Sequence, residues 1–219
     1  MYDTLHRTLE VVSSTTKSKS LIQKGLRERL LCQACEAKLS LCETHAADII
    51  TYIQSLLLVA PGTQLILPYV RYDLFKLFQL SLLWRASVSS RAMFAQIKLG
   101  PVQEDIRAMI SAGDPGEPYE YPCVMFAVRN PVHIRRMMWS PVATEFEDHT
   151  GHQFQIGAVF WTFLIPHLGR GNPQYSVYLH KDGRLVVPIA EWNEDLYLPQ
   201  VRSLILRDFA PENPKQANA

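Results

Sequence analysis

No run of apolar residues in this sequence is long enough to cross a bilayer. The best candidates, Ile49 to Ala60 and Ile156 to Pro166, fall short of the ~20 residues a spanning helix needs, and Thr51, Gln54 and Ser55 interrupt the first. A transmembrane span is therefore not expected, nor a membrane partner. The opening residues, MYDTLHRTLE, have neither the basic region nor the apolar core of a secretory signal, so the expected compartment is the cytoplasm. Net charge is equally scarce. The 22 basic and 21 acidic residues leave a formal +1, which gives no global field to concentrate a polyanion such as DNA. Any nucleic-acid surface must then be local. A P-loop and a dinucleotide fingerprint are both missing, and no internal repeat or obvious linker occurs. Cysteine is limited to positions 32, 35, 42 and 123, and in a reducing compartment the crowding of the first three favours metal binding over disulfides.

What is present resembles an ordinary globular chain. Hydrophobic residues make up 47% and charged residues 20% of 219, enough for one domain with a sizeable core. The polar run VSSTTKSKS, residues 12 to 20, lacks apolar periodicity and reads as an exposed arm or loop. From Glu36 the apolar residues Leu39, Cys42, Ala46, Ile49, Ile50, Ile53, Leu56 and Leu57 follow the 3 and 4 spacing of one helical face, stopped by Pro61 and Gly62. A second helix is expected over about 71–88, too widely apolar for a narrow stripe and hence central in the core. A third, over about 101–112, opens on Pro101, carries Glu104 and Asp105 near its positive end and stops at Gly113.

The second half changes to β-branched and aromatic runs at 124–128, 154–165 and 175–180. Asp182 and Gly183, between YSVYLHK and RLVVPI, predict a two-residue hairpin turn with both positions tolerant of positive φ. A short helix is expected over 198–207. The predicted fold class is α+β, with helices (about 36–58, 71–88 and 101–112) packed on a C-terminal, mainly antiparallel sheet. The predicted division is an arm with half a zinc knuckle over 1–35, one domain over 36–208 and a disordered tail over 209–219.

The richest chemistry lies in LCQACEAKLSLCETH, Leu31 to His45. Cys32 and Cys35 have the two-residue gap that lets two thiolates grip one zinc ion, but a tetrahedral site needs four ligands, or three and a water. Cys42 lies seven residues beyond Cys35. On a helix that is ~10.5 Å at ~1.5 Å per residue, whereas thiolates on one zinc sit within about 4 Å of each other. Cys42 also fits the buried stripe, and His45 sits three residues beyond it. A local basic run, Lys17, Lys19, Lys24, Arg27 and Arg29, is opposed only by Glu28. Lys24, Arg27 and Arg29 are the candidate nucleic-acid contacts, and an ordinary solvated face is the alternative.

The segment GLRERLLCQACEAKLS resembles the second zinc knuckle and following helix of bacterial HNH-type treble-clef proteins. The downstream run YDLFKLFQLSLLWRASVSS resembles an uncharacterised bacterial group that joins such a knuckle to an α+β region. The resemblance implies zinc held by Cys32 and Cys35, a DNA partner, and either a binding or structural role or metal-dependent endonuclease activity. It also implies an earlier Cys-x-x-Cys and a His-Ile-Ile-Pro-like strand ahead of the knuckle. No cysteine precedes Cys32 and the only earlier histidine, His6, stands in LHRTL, so the chain is expected to be truncated at its amino end. The family's asparagine corresponds to Arg27, and the metal-binding residue after the second cysteine to Glu36. Without a positioned base, which is typically worth ~10²- to 10⁴-fold, a non-catalytic role is the leading expectation and a nuclease the alternative.

Three other clusters carry chemistry. Glu147, Asp148, His149 and His152 in EFEDHTGHQF could gather a metal around a bend at Gly151, or form a polar loop feeding a strand. Arg85, Ser87, Ser89, Ser90 and Arg91 offer donors to a phosphate, or satisfy the last carbonyls of a helix. Arg135, Arg136 and Trp139, after His133, could stack on a base, while Met137, Met138 and Trp139 equally describe a core edge. Ser40, Cys123 and the histidines at 133, 167 and 180 form no recognisable nucleophile and base arrangement.

Overall fold

The structure is a computed structural model, and it describes residues 9–13, 18–22, 28–60, 62–129, 137–146, 149–165 and 179–191. The expected short helix over 198–207, most of the strand expected over 175–180, and the tail lie outside these residues. Helix α1 (Gln33–Leu56) buries Leu39, Cys42, Ala46, Ile50 and Ile53, the stripe read from the spacing. Helix α2 (Tyr72–Val88) buries residues around most of its circumference, including Phe75, Leu77, Leu80, Leu83 and Trp84. It lies between α1 and α3 (Val102–Ala112), which buries only Ile106. Among the described residues no helix is long and apolar enough to cross a membrane.

The described strands form one sheet: β1 (Leu9–Ser13), β2 (Ser18–Ile22), β3 (Gln64–Leu67), β4 (Cys123–Arg129), β5 (Met137–Phe146), β6 (His149–Ile156), β7 (Val159–Ile165) and β8 (Leu185–Glu191). Their spatial order is β2-β1-β5-β6-β7-β4-β8-β3. Pairing is antiparallel except at β1 with β5 and β4 with β8. The α+β class and the mainly antiparallel sheet are as expected, but three strands precede the last helix. Ser18–Ile22 and Leu9–Ser13 form a ladder where residues 12 to 20 read as an arm. The reason is that β2 is an edge strand, held by backbone pairing with β1, and a sequence containing a Lys such as Lys19 suits an edge.

The core forms where the helices meet β6, β7 and β4. Phe75 and Phe78 of α2 each place a ring centroid 5.8 Å from that of Trp161 on β7, and Phe154 meets Phe163 edge-on at 5.5 Å. Strand alternation sends Phe160 to the opposite face, where it stacks on Phe126 at 4.5 Å. Lys76 is buried in this core. Its Nζ donates to the carbonyls of Glu120 (2.7 Å) and Tyr121 (2.8 Å), and burial lowers its pKa to about 8.

The turn expected at Asp182 and Gly183 is present with a different geometry. Gly183 donates its N–H to His180 O and His180 donates to Arg184 O, both at 2.9 Å, so three residues form the loop. Gly183 has positive φ, +84°, and Asp182 does not. The Asp182 carboxylate instead accepts the Arg184 N–H at 2.9 Å. This short side chain satisfies a turn donor from an ordinary backbone conformation, which removes the need for a second left-handed residue.

Candidate dithiol site at the head of the first helix

Cys32 is the N-cap of α1, extended at φ −76° and ψ 162°, and its carbonyl accepts the Glu36 N–H at 3.0 Å. Its thiol is exposed and that of Cys35, one turn on, is half-buried. The first helical amides are left without carbonyl partners, so their N–H groups and the helix dipole favour negative charge here. The Cys35 backbone N–H, then the Cys35 thiol and the Ala34 N–H, lower the Cys32 pKa below the ordinary thiol value. Cys35 is pushed up, first by its hydrogen bond to Cys32 and then by the charge of that sulfur. The two thiols are thus an unequal pair one helical turn apart, Cys32 shifted down and Cys35 shifted up.

Other candidate ligands point elsewhere. Cys42 is buried against Leu39 and Leu77, and burial raises its pKa. His45 Nε2 accepts the backbone N–H of Arg71, the residue that caps α2, at 3.1 Å. Burial lowers the pKa of His45, in keeping with a neutral acceptor, and Phe75 meets its ring edge-on at 6.4 Å. Glu36 is exposed in the first turn. Among the described residues no three His, Cys, Asp or Glu side chains come together as a metal site. Cys32 and Cys35 fit zinc as soft donors of the right spacing, but supply only two of the four positions.

Glu28, four residues before Cys32, is a residue whose role sequence reasoning passed over. The Glu28 carboxylate accepts from both Ser89 and Ser90 hydroxyls and from the Ser90 N–H at 2.9 Å, with the Ser90 hydroxyl at 2.6 Å. These bonds, Ser89 first, hold its pKa down at about 2. The donors at the end of α2 that suggested a phosphate cradle therefore hold an internal carboxylate. Arg85 nearby pairs with Glu43 at 2.7 Å and donates to the Ser81 carbonyl at 3.2 Å. The only sequence signal for Glu28 was that it is the lone acid in a basic run. Of that run, Arg29 is exposed, and Lys24 and Arg27 lie outside the described residues.

A cleft of about 190 Å³ opens beside Cys35. Leu31, Leu39, Trp84 and Ile110 form its apolar wall, and Lys38, Arg107 and Ser111 its polar part. Trp84 is 8% exposed, and its buried indole N–H has no hydrogen-bond partner among the described residues.

The remaining clusters are dispersed. His152 stands within β6, half-buried, with its pKa lowered by burial. Gly151 lies in the same strand and not in a bend, and a Cβ there would meet the Phe163 carbonyl at 2.4 Å. Glu147, Asp148, His133, Arg135 and Arg136 lie outside the described residues, and Trp139 is buried in β5 beside Met138. The chain matches no protein-family model, no curated protein and no solved structure.

Proposed function

We propose that this chain is a zinc-knuckle-derived binding protein without hydrolytic activity, in which Cys32 and Cys35 supply half of a zinc site shared with a second chain. The observation that carries the reading is the paired thiols at the head of α1, with no third metal-ligating side chain beside them among the described residues. The pair would hold the ion as a structural tie between chains, and no chemical step is assigned to it. Zinc added to the reduced protein is expected to bind at about one ion per two chains, since each chain gives two of four ligands. A full equivalent held by the monomer, or zinc retained after Cys32→Ser, overturns the reading.

A second reading, a DNA contact through Lys24, Arg27 and Arg29 with endonuclease activity as its extreme form, draws on one observation. Glu28, the only acid among these residues, is drawn onto the end of α2 while Arg29 stays exposed. A duplex mobility-shift titration that weakens with salt and with Arg29→Glu supports a phosphate-contacting surface. Magnesium- or manganese-dependent plasmid cleavage that is lost in Glu36→Ala would favour the nuclease form.

A further inference from the structure

With no third metal-ligating side chain beside them among the described residues, the two sulfur atoms are open to chemistry other than metal binding. The nucleophile of a thiol exchange site must be reachable, and Cys32 is exposed at the helix head. A second thiol must lie close enough to displace the first leaving group, and Cys35 stands in the first turn of α1, three residues beyond Cys32 at its N-cap. A substrate must also have somewhere to sit. Cys35 is part of the wall of the cleft, whose apolar side ends in Lys38 and Arg107. Arg107 keeps a carboxylate partner in Glu104 at 2.6 Å, whereas Lys38 forms no ion pair among the described residues. Trp84 adds to the apolar wall of the same cleft. An apolar pocket whose lining includes an unpaired lysine suits an organic group that carries a carboxylate.

We infer that Cys32 and Cys35 form an exchange-active dithiol that reduces small disulfides bearing carboxylates, with the cleft beside Cys35 holding the substrate. This activity uses the same thiols as the zinc reading without depending on it, because bound zinc would occupy both sulfurs and block exchange. Cys32, the more exposed thiol, loses its proton to solvent and attacks one sulfur of the external disulfide. The S–S bond breaks and the first thiolate leaves, taking a proton from solvent. Cys35 then loses its proton to solvent and attacks the Cys32 sulfur of the mixed disulfide, releasing the second thiolate, which is protonated in turn. The protein gives up two electrons and two protons and gains one Cys32–Cys35 disulfide, while the external disulfide becomes two thiols.

The test uses the full chain, reduced and stripped of metal with a chelator, and two probes, glutathione disulfide and the uncharged bis(2-hydroxyethyl) disulfide. Peptide mapping by mass spectrometry should find a Cys32–Cys35 disulfide in the wild type and a mixed disulfide trapped on Cys32 in Cys35→Ser. Adduct formation at Cys35 in Cys32→Ser should be slower by about tenfold or more, since the more accessible thiol is lost. Lys38→Glu should slow glutathione disulfide severalfold and leave the uncharged probe within about twofold. Absence of the Cys32–Cys35 disulfide, or reaction confined to other cysteines, overturns the activity. Equal slowing of both probes by Lys38→Glu overturns the assigned substrate class. Zinc content measured in parallel separates the two proposals: a protein that binds no zinc and still closes the disulfide keeps this one and loses the other.

Discussion

Three side chains show how far one residue's surroundings shift its chemistry. Glu28 titrates at about 2 in the folded protein because the Ser89 and Ser90 donors bind its charged form. A carboxyl with a depressed folded pKa stabilises the fold above its unfolded value, and the contribution is lost as pH falls through the folded one. Urea unfolding between pH 5 and 2 should therefore show a loss of stability that is smaller in Glu28→Gln. His45 works from the opposite charge. It accepts a hydrogen bond from Arg71 and burial disfavours its cation, so its contribution is full above its ordinary value of 6.5 and lost as pH falls below it. His45→Ala should cost about 0.5–1.5 kcal/mol at pH 8, the net worth of one hydrogen bond, and should flatten the wild-type decline between pH 7 and 5. Lys76, with its pKa lowered from 10.5 to about 8, follows the same sign: stability should rise as pH increases from 8 through 10.5, and Lys76→Met should remove that rise.

At the scale of elements, the long helices were legible because a buried face repeats every three or four residues, and the Leu39 to Ile53 stripe of α1 is such a face. β1, β2 and β3 were not legible. They have four or five residues each and occupy sheet edges or near-edges, so pairing with distant strands decides them and their own composition does not. The turn after Leu179 was placed correctly, while its loop length depended on Asp182 accepting a hydrogen bond, which sequence spacing does not reveal. Two glycines separate the sources of such constraints. Gly113 ends α3 at φ +72°, and a Cβ added there would have nothing within 4 Å among the described residues, so Gly113→Ala should cost only the left-handed penalty of about 1 kcal/mol. Gly183 has a similar φ, but a Cβ there would lie 2.7 Å from the Val70 carbonyl, whose residue donates its N–H to Gly183 O at 2.9 Å. Gly183→Ala should therefore cost on the order of 2 kcal/mol or more, and denaturant midpoints of the two variants should differ in that order.

For the molecule as a whole, the sequence identified the dithiol and left its setting hidden. Cys32 and Cys35 are neighbours in the chain, so spacing alone brings them together. The cleft beside them needs Trp84 from α2 and Arg107 and Ile110 from α3, and the Glu28 clasp needs Ser89 and Ser90 some sixty residues away. Only the packing of three helices on one sheet makes those groups neighbours. That packing also carries Cys42 and His45 into structural duties, one in the core and one at the cap of α2, so that among the described residues no third ligand joins the two thiols. Native mass spectrometry of the reduced protein titrated with zinc tests this shortfall most directly. Zinc should appear in a two-chain species at one ion per pair of chains and vanish in Cys35→Ser; a single chain tightly holding its own zinc ion would contradict the account.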